Sequence, residues 1–212
     1  MPVSYIYKKM IRDEIKKLTK PVTLKVFTSS NNLQESVYMM DTLDIYQKNS
    51  NGMLKIEEYK LESNSEFAKE YDIQRVPAIL LVNNQDIEII RYLAVPMAAE
   101  IQPFIQALMV FTGTPNYYET IIKQSLSKMN PLVIKVLITD SCAYCPTILS
   151  ICSQFALASE GKIRTVIIDI MAHSDIGEQY NVSTVPYLII NEKKKLKGTI
   201  TAEELLKELL EC

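Results

Sequence analysis

The 212-residue chain has no tryptophan, a single histidine and four cysteines, none of them before position 142. It lacks an excess of either charge: the formal net charge is -2 and the pI is near 5.6. The basic footprint of a nucleic-acid binder is therefore missing. No stretch approaches the ~20 consecutive apolar residues of a membrane span. The first twenty residues mix Tyr, Ile, Met and Leu with Lys, Arg, Asp and Glu, without the apolar core and small-residue cleavage site of a secretory signal. The expected location is cytoplasmic, with neither nucleic acid nor membrane as partner. A chain of this length with 48% hydrophobic residues buries a core without disulfide staples, so the cysteines are not a structural framework. Nor do they make a zinc site, because Cys152, Cys212 and His173 lack the spacing of a second ligand pair. No metal and no cofactor is expected beyond a dithiol.

What the chain does have is Cys142-Ala143-Tyr144-Cys145-Pro146. The segment follows an apolar run at 132–138 and precedes an apolar-periodic stretch, so two thiols lie one turn apart at a strand-to-helix junction. Sulfurs so placed are close enough to bridge. The first sits where unpaired backbone N–H groups and the positive end of a helix dipole favour thiolate over thiol. Only the thiolate attacks disulfides. About forty residues on, Val185-Pro186 opens a second apolar run, 187–190. Together the signals point to a thiol-disulfide oxidoreductase.

The chain also repeats itself. Residues 70–83, Glu-Tyr-Asp-Ile-Gln-Arg-Val-Pro-Ala-Ile-Leu-Leu-Val-Asn, match residues 179–191, Gln-Tyr-Asn-Val-Ser-Thr-Val-Pro-Tyr-Leu-Ile-Ile-Asn, at an offset of 109. Residues 24–28 correspond to 134–139 at an offset of 110 or 111. A period this long is a duplicated domain, not a solenoid. In the first half, Tyr7, Ile11, Ile15 and Leu18 mark one face of a leading helix terminated by Pro21. A strand (22–28), a helix (31–47), a strand (54–61), a short helix (65–71), a hairpin (78–82 with 87–92) and a closing helix (98–111) follow. The second half repeats the plan: helix 117–129, strand 132–139, helix 142–159, strand 163–170, short helix 175–180, strands 187–190 and 196–200, and helix 202–210. Thr112-Gly113-Thr114-Pro115 is the expected junction, Gly ending one helix and Pro starting the next. The expectation is α/β: two tandem thioredoxin-like domains, 1–113 and 114–212, each a mixed four-stranded sheet flanked by helices, with the Cys-x-x-Cys only in the second.

The Cys142-to-Pro146 motif and Thr184-Val185-Pro186 in such a tandem resemble the archaeal and bacterial protein disulfide oxidoreductases, also called glutaredoxin-like proteins. The chain is also similar to the N-terminal redox region of the alkyl hydroperoxide reductase flavoprotein subunit. It follows the latter in keeping the motif only in its second unit, since the first has Ser30-Asn31-Asn32-Leu33-Gln34 there. The resemblance implies Cys142 as nucleophile and Cys145 as resolving thiol, linked when oxidised as a redox-active disulfide. It implies a cis Pro186 that brings Val185 against the sulfurs to bind extended substrate, and a cis Pro77 in the first unit without chemistry. Tyr144 is the expected substrate rim; the Ala143 and Tyr144 N–H groups and Pro146, in the first helical turn, tune the site. Where many thioredoxins carry a buried Asp this chain has Val136, leaving water or Asp169 for proton transfer. Implied partners are client proteins with disulfides, a peroxiredoxin among the candidates, and a flavoprotein reductase of the thioredoxin reductase type as electron donor. Two other functions suit the sequence: a client-binding or chaperone-like module with an incidental dithiol, and a redox sensor. Cys152 is read as a core thiol, Cys212 as a frayed end, His173 as a solvated surface residue, Lys193-Lys194-Lys195 as a polar hairpin turn, and Met39, Met40, Met97 and Met109 as core filler.

Overall fold

A computed structural model describes residues 3–212. The elements in chain order are α1 (Tyr5–Ile15), β1 (Val22–Thr28), α2 (Leu33–Asn49), β2 (Leu54–Lys60), α3 (Ser65–Glu70), β3 (Ala78–Val82), β4 (Glu88–Leu93), α4 (Ile101–Phe111), α5 (Glu119–Ser125), β5 (Leu132–Ile138), α6 (Cys145–Ala158), β6 (Ile163–Asp169), α7 (Ser174–Gln179), β7 (Tyr187–Ile190), β8 (Lys194–Lys197) and α8 (Ala202–Leu210).

The two halves do not form separate sheets. All eight strands join one sheet in the order β2-β1-β3-β4-β6-β5-β7-β8. Within each half the first two strands are parallel and the last two join as antiparallel neighbours. The halves meet where β4 pairs in parallel with β6, Ile90 opposite Thr165 through Leu93 opposite Ile168. The strand sequences suit their positions. Every residue of β4 is buried and β6 is nearly so, whereas the outer strands β2 (Leu-Lys-Ile-Glu-Glu-Tyr-Lys) and β8 (Lys-Lys-Leu-Lys) alternate with exposed charge. Charged residues on an edge strand discourage pairing with another chain.

One face of the sheet carries the larger core, built with α1, α2, α4, α6 and α8 around Tyr46, Phe104 and Phe155. The other face is covered by the short helices α3 and α7 over Phe27, Leu80, Leu137 and Ile189. Each such side chain taken fully from water contributes about 1.5–3 kcal/mol. Phe104 stacks edge-on against both Tyr46 and Tyr92 at 5.3 and 5.1 Å, and α4 packs across the join onto α6. Beside the join, Arg91 is buried with Glu88 and donates to the carbonyls of Tyr71 and Asp72; Arg164 of the second half approaches the same Glu88 at 3.5 Å.

Three local expectations need correction. The leading helix ends at Ile15, well before Pro21; its C-cap Lys16 N–H already turns to the Glu14 carbonyl, and Leu18 is buried beyond the helix. Gly113, at φ +108°, does follow α4, a conformation that L side chains rarely adopt. Pro115, however, does not start the next helix: Asn116 first turns the chain by accepting the Tyr118 N–H, and α5 begins at Glu119. The last strand starts two residues earlier than expected, so Lys194 and Lys195 belong to β8 and only Lys193 to the turn.

Candidate functional site

β5 alternates inward apolar residues and ends at Ile138; the chain then turns, with the Cys142 N–H donating to the Thr139 carbonyl at 3.2 Å. Cys142 and Cys145 are bridged, their Cα atoms 5.5 Å apart. Helix α6 starts at Cys145, with Tyr144 as N-cap and Pro146 in its first turn, where the missing N–H costs no bond. Cys142 therefore lies outside the helix, just ahead of its N-terminus. The hydrogen bond to its sulfur comes from the Cys145 N–H at 3.1 Å, not from the Ala143 and Tyr144 N–H groups expected to supply it. That free helical donor and the dipole behind it both lower the cost of negative charge on Cys142. Both cysteines are buried, Cys142 at 9% exposed and Cys145 at 1%, while Tyr144 between them is 66% exposed.

The second wall follows from sheet register. Leu137 stands opposite Tyr187 in the β5–β7 pair, so the segment entering β7 ends beside the turn leaving β5. That segment is Val185-Pro186, joined by a cis peptide bond, with Val185 packed on the cluster that contains both cysteines. The Pro186 carbonyl is held by the Gly198 N–H at 2.9 Å.

Residues 132–211 match the family model described as a thioredoxin domain. Beyond them, nearly the whole chain superposes on solved structures. It covers 99% of its length against 93% of a protein disulfide oxidoreductase from Aeropyrum pernix, with TM-score 0.87 and 23% identity. Against the alkylhydroperoxide reductase AhpF from Enterococcus faecalis the shares are 95% and 96%, with TM-score 0.83 and 18% identity. Against Sso1120 from Sulfolobus solfataricus they are 92% and 100%, with TM-score 0.62 and 18% identity. This chain has a tandem thioredoxin fold. No curated protein matches it in sequence.

In the first thioredoxin-like half, β1 has the same burial pattern as β5 at an offset of 110, while α2 and α6 repeat at 109, Ser50 and Ser159 each ending the helix and accepting the N–H that opens the next strand. Buried Ser36 therefore stands against Cys145, and the one-residue difference lies in the loop that holds Cys142. The Val76–Pro77 bond is also cis, and the Asn32 side-chain amide donates to the Val76 carbonyl at 2.8 Å. The first half thus keeps the cis proline and has no thiol, with the Ser36 hydroxyl where the second has the buried sulfur of Cys145.

The other thiols are separate from this site. Cys152 is fully buried and burial pushes its pKa up to about 12, so it is a core residue. Cys212 is exposed, its Sγ donating to the Glu208 carbonyl at 3.2 Å. His173 is not the solvated residue expected: it is half-buried between the halves, and desolvation and then the Arg75 charge lower its pKa. Met39 and Met97 pack in the core as expected, yet both also border a pocket between the halves.

Sequence reasoning missed Glu100. It sits in the 3-10 turn before α4, packed on α6, 2% exposed, with one carboxyl oxygen unpartnered. Burial, then the Asp169 and Asp140 carboxylates, raise its pKa well above the usual range. Asp169 accepts the Met171 N–H at 2.8 Å and is raised too, mainly by burial. Nothing in the sequence marked Glu100, because an acid at the start of a helix is ordinary dipole compensation; only the packing of α4 on α6 buries it.

Proposed function

We propose that this protein is a thiol-disulfide oxidoreductase that reduces or exchanges disulfides in protein clients. The observation that carries the reading is the position of Cys142 Sγ: bridged to Cys145 and bonded by the N–H that opens α6, in the loop after β5, whose end the sheet register sets beside the cis Val185-Pro186 segment. On this reading the redox-active unit is 114–212 and the redox-inactive one 1–113. In the reduced form the Cys142 thiolate attacks one sulfur of a client disulfide, forming a mixed disulfide and releasing the other client sulfur as a thiolate that takes up a proton. Cys145, after losing its proton, attacks Cys142 Sγ; the Cys142–Cys145 bond forms, the mixed disulfide breaks, and the second client thiol leaves. Two electrons pass to the client. Glu100, in the turn packed on α6, and Asp169, at the end of β6, are the carboxyl groups suited to exchange the Cys145 proton. Tyr144 supplies an exposed aromatic rim and the Val185 backbone an edge for extended substrate. The reducing equivalents come from another protein, a flavoprotein reductase of the thioredoxin reductase type in the cytoplasm, and a peroxiredoxin is a candidate client.

Dithiol-dependent reduction of insulin by the purified protein tests the reading. Turnover is expected, abolished by Cys142→Ser, while Cys145→Ser accumulates the mixed disulfide. Full turnover in the Cys142→Ser protein would overturn it.

A further inference from the structure

Between the halves lies a pocket of about 450 Å³ that includes neither cysteine nor Pro186. Its wall joins the Pro77 loop of the first half to Asp140, Asp169 and His173 of the second. Four carboxyl groups line it, those of Glu35, Glu100, Asp140 and Asp169, and no lysine or arginine does. The nearby Arg75 is engaged with Asp175, and His173 is held toward its neutral form. Glu100 is buried with an oxygen that nothing in the protein satisfies, a state that costs free energy unless a donor arrives. The acids do not converge on a point: among the described residues no group of three His, Cys, Asp or Glu is arranged to hold a metal ion. The space suits an extended organic cation instead. Tyr7 and Tyr38 also line it, aromatic residues of the kind that attract a cation, with burial and then Asp140 raising the pKa of the Tyr38 hydroxyl. Met39, Met97 and Leu93 give apolar wall for a methylene stem.

The pocket also lies within reach of the chemistry. Asp140 precedes Cys142 by two residues, so its Cα is at most about 7 Å from that of the sulfur-bearing residue. We infer that this pocket binds an arginine or lysine side chain of the client polypeptide, a few residues from the disulfide that Cys142 attacks. The first half, which has no thiol and supplies Asn32, Glu35 and Glu100 to the pocket, then serves as the part of the enzyme that selects clients. This inference rests on the oxidoreductase reading of the dithiol.

The test uses disulfide-containing peptides that differ only in one flanking residue, Arg or Gln, reduced in a single turnover by the dithiol form of the full chain, with the small neutral disulfide of hydroxyethanethiol as reference. The Arg peptide is expected to react about tenfold more efficiently than the Gln peptide at low salt, the effect of one charge-assisted contact. The preference should fall to about twofold or less in the Glu35→Gln, Asp140→Asn double variant and in high salt. Because the ratio is taken within one protein, a change in thiol reactivity cancels. A ratio near one, or one that survives both substitutions, overturns the inference. Failure of the unmodified protein to reduce the reference disulfide would instead sink the oxidoreductase reading. Calorimetry with cysteine-free Arg and Gln peptides then decides the pocket alone: tighter Arg binding that the double variant loses supports it, and equal binding overturns it.

Discussion

The two halves differ least in their frame and most at the end of the first strand of each. β1 and β5 share a burial pattern, both pair in parallel with the next strand, and both lead toward a loop that faces a cis proline. Where the second half places Cys142 and Cys145 just ahead of and within α6, the first has Asn32 as the N-cap of α2 and buried Ser36 in its first turn. The frame is thus not what makes a thioredoxin-like site reactive; two sulfur atoms on it are. The comparison also shows how a duplicated unit becomes one body. Strands in equivalent places carry different sequences according to whether they face a neighbour or solvent: β6 is apolar where β2 is charged, and β4 is buried where β8 is half exposed.

The largest effect expected from breaking the comparison is chemical. Cys142→Ser should lower disulfide reduction by about a thousandfold or more, measured as insulin turnover, because no thiol of the first half stands in. Next is the join. Phe104→Ala, in α4 over the interface with α6, should cost about 3–5 kcal/mol in urea denaturation, and both it and the unmodified protein should unfold in a single transition. Two separable transitions would mean that the β4–β6 pair does not bind the halves into one cooperative unit.

A third test asks what the first half contributes electrostatically. The folded pKa of Glu100 is raised, so the native state holds a proton that the unfolded chain has already released. The stability from this group is full below the ordinary carboxyl pKa and is lost as pH rises through the elevated one. Glu100→Gln should flatten that part of the stability–pH curve, measured by denaturation at a series of pH values; an unchanged slope would place the titration elsewhere. The smallest effect concerns the thiols themselves. Iodoacetamide at neutral pH should label reduced Cys142 and exposed Cys212 but leave Cys152, whose pKa is about 12, untouched until the chain unfolds; mass spectrometry of digests reads the result.

Much of this was written in local sequence. Gly113 after an apolar helix marked the end of α4, and the stretches 22–28 and 132–138 were both legible as leading strands. Where local reading erred, the cause was at element ends. The pattern through Leu18 outlasts α1 because a buried residue need not be helical, and α6 begins at Cys145 because the turn closed by the Cys142 N–H holds the first thiol outside it. His173 read as exposed because its loop is, residues 171, 172, 174 and 175 all being exposed, and only its own ring is half-buried toward the first half.

By itself the sequence determined the duplication, the order of elements in each half and the pairing of a Cys-x-x-Cys with a distant Val-Pro, since periodicity and spacing are properties of neighbouring residues. Only the tertiary structure decided that β4 and β6 close one eight-stranded sheet, that Glu100 loses its water, and that acids from both halves line one pocket. Those outcomes depend on which apolar faces meet, and burial between segments far apart in the chain is fixed by packing, not by local pattern.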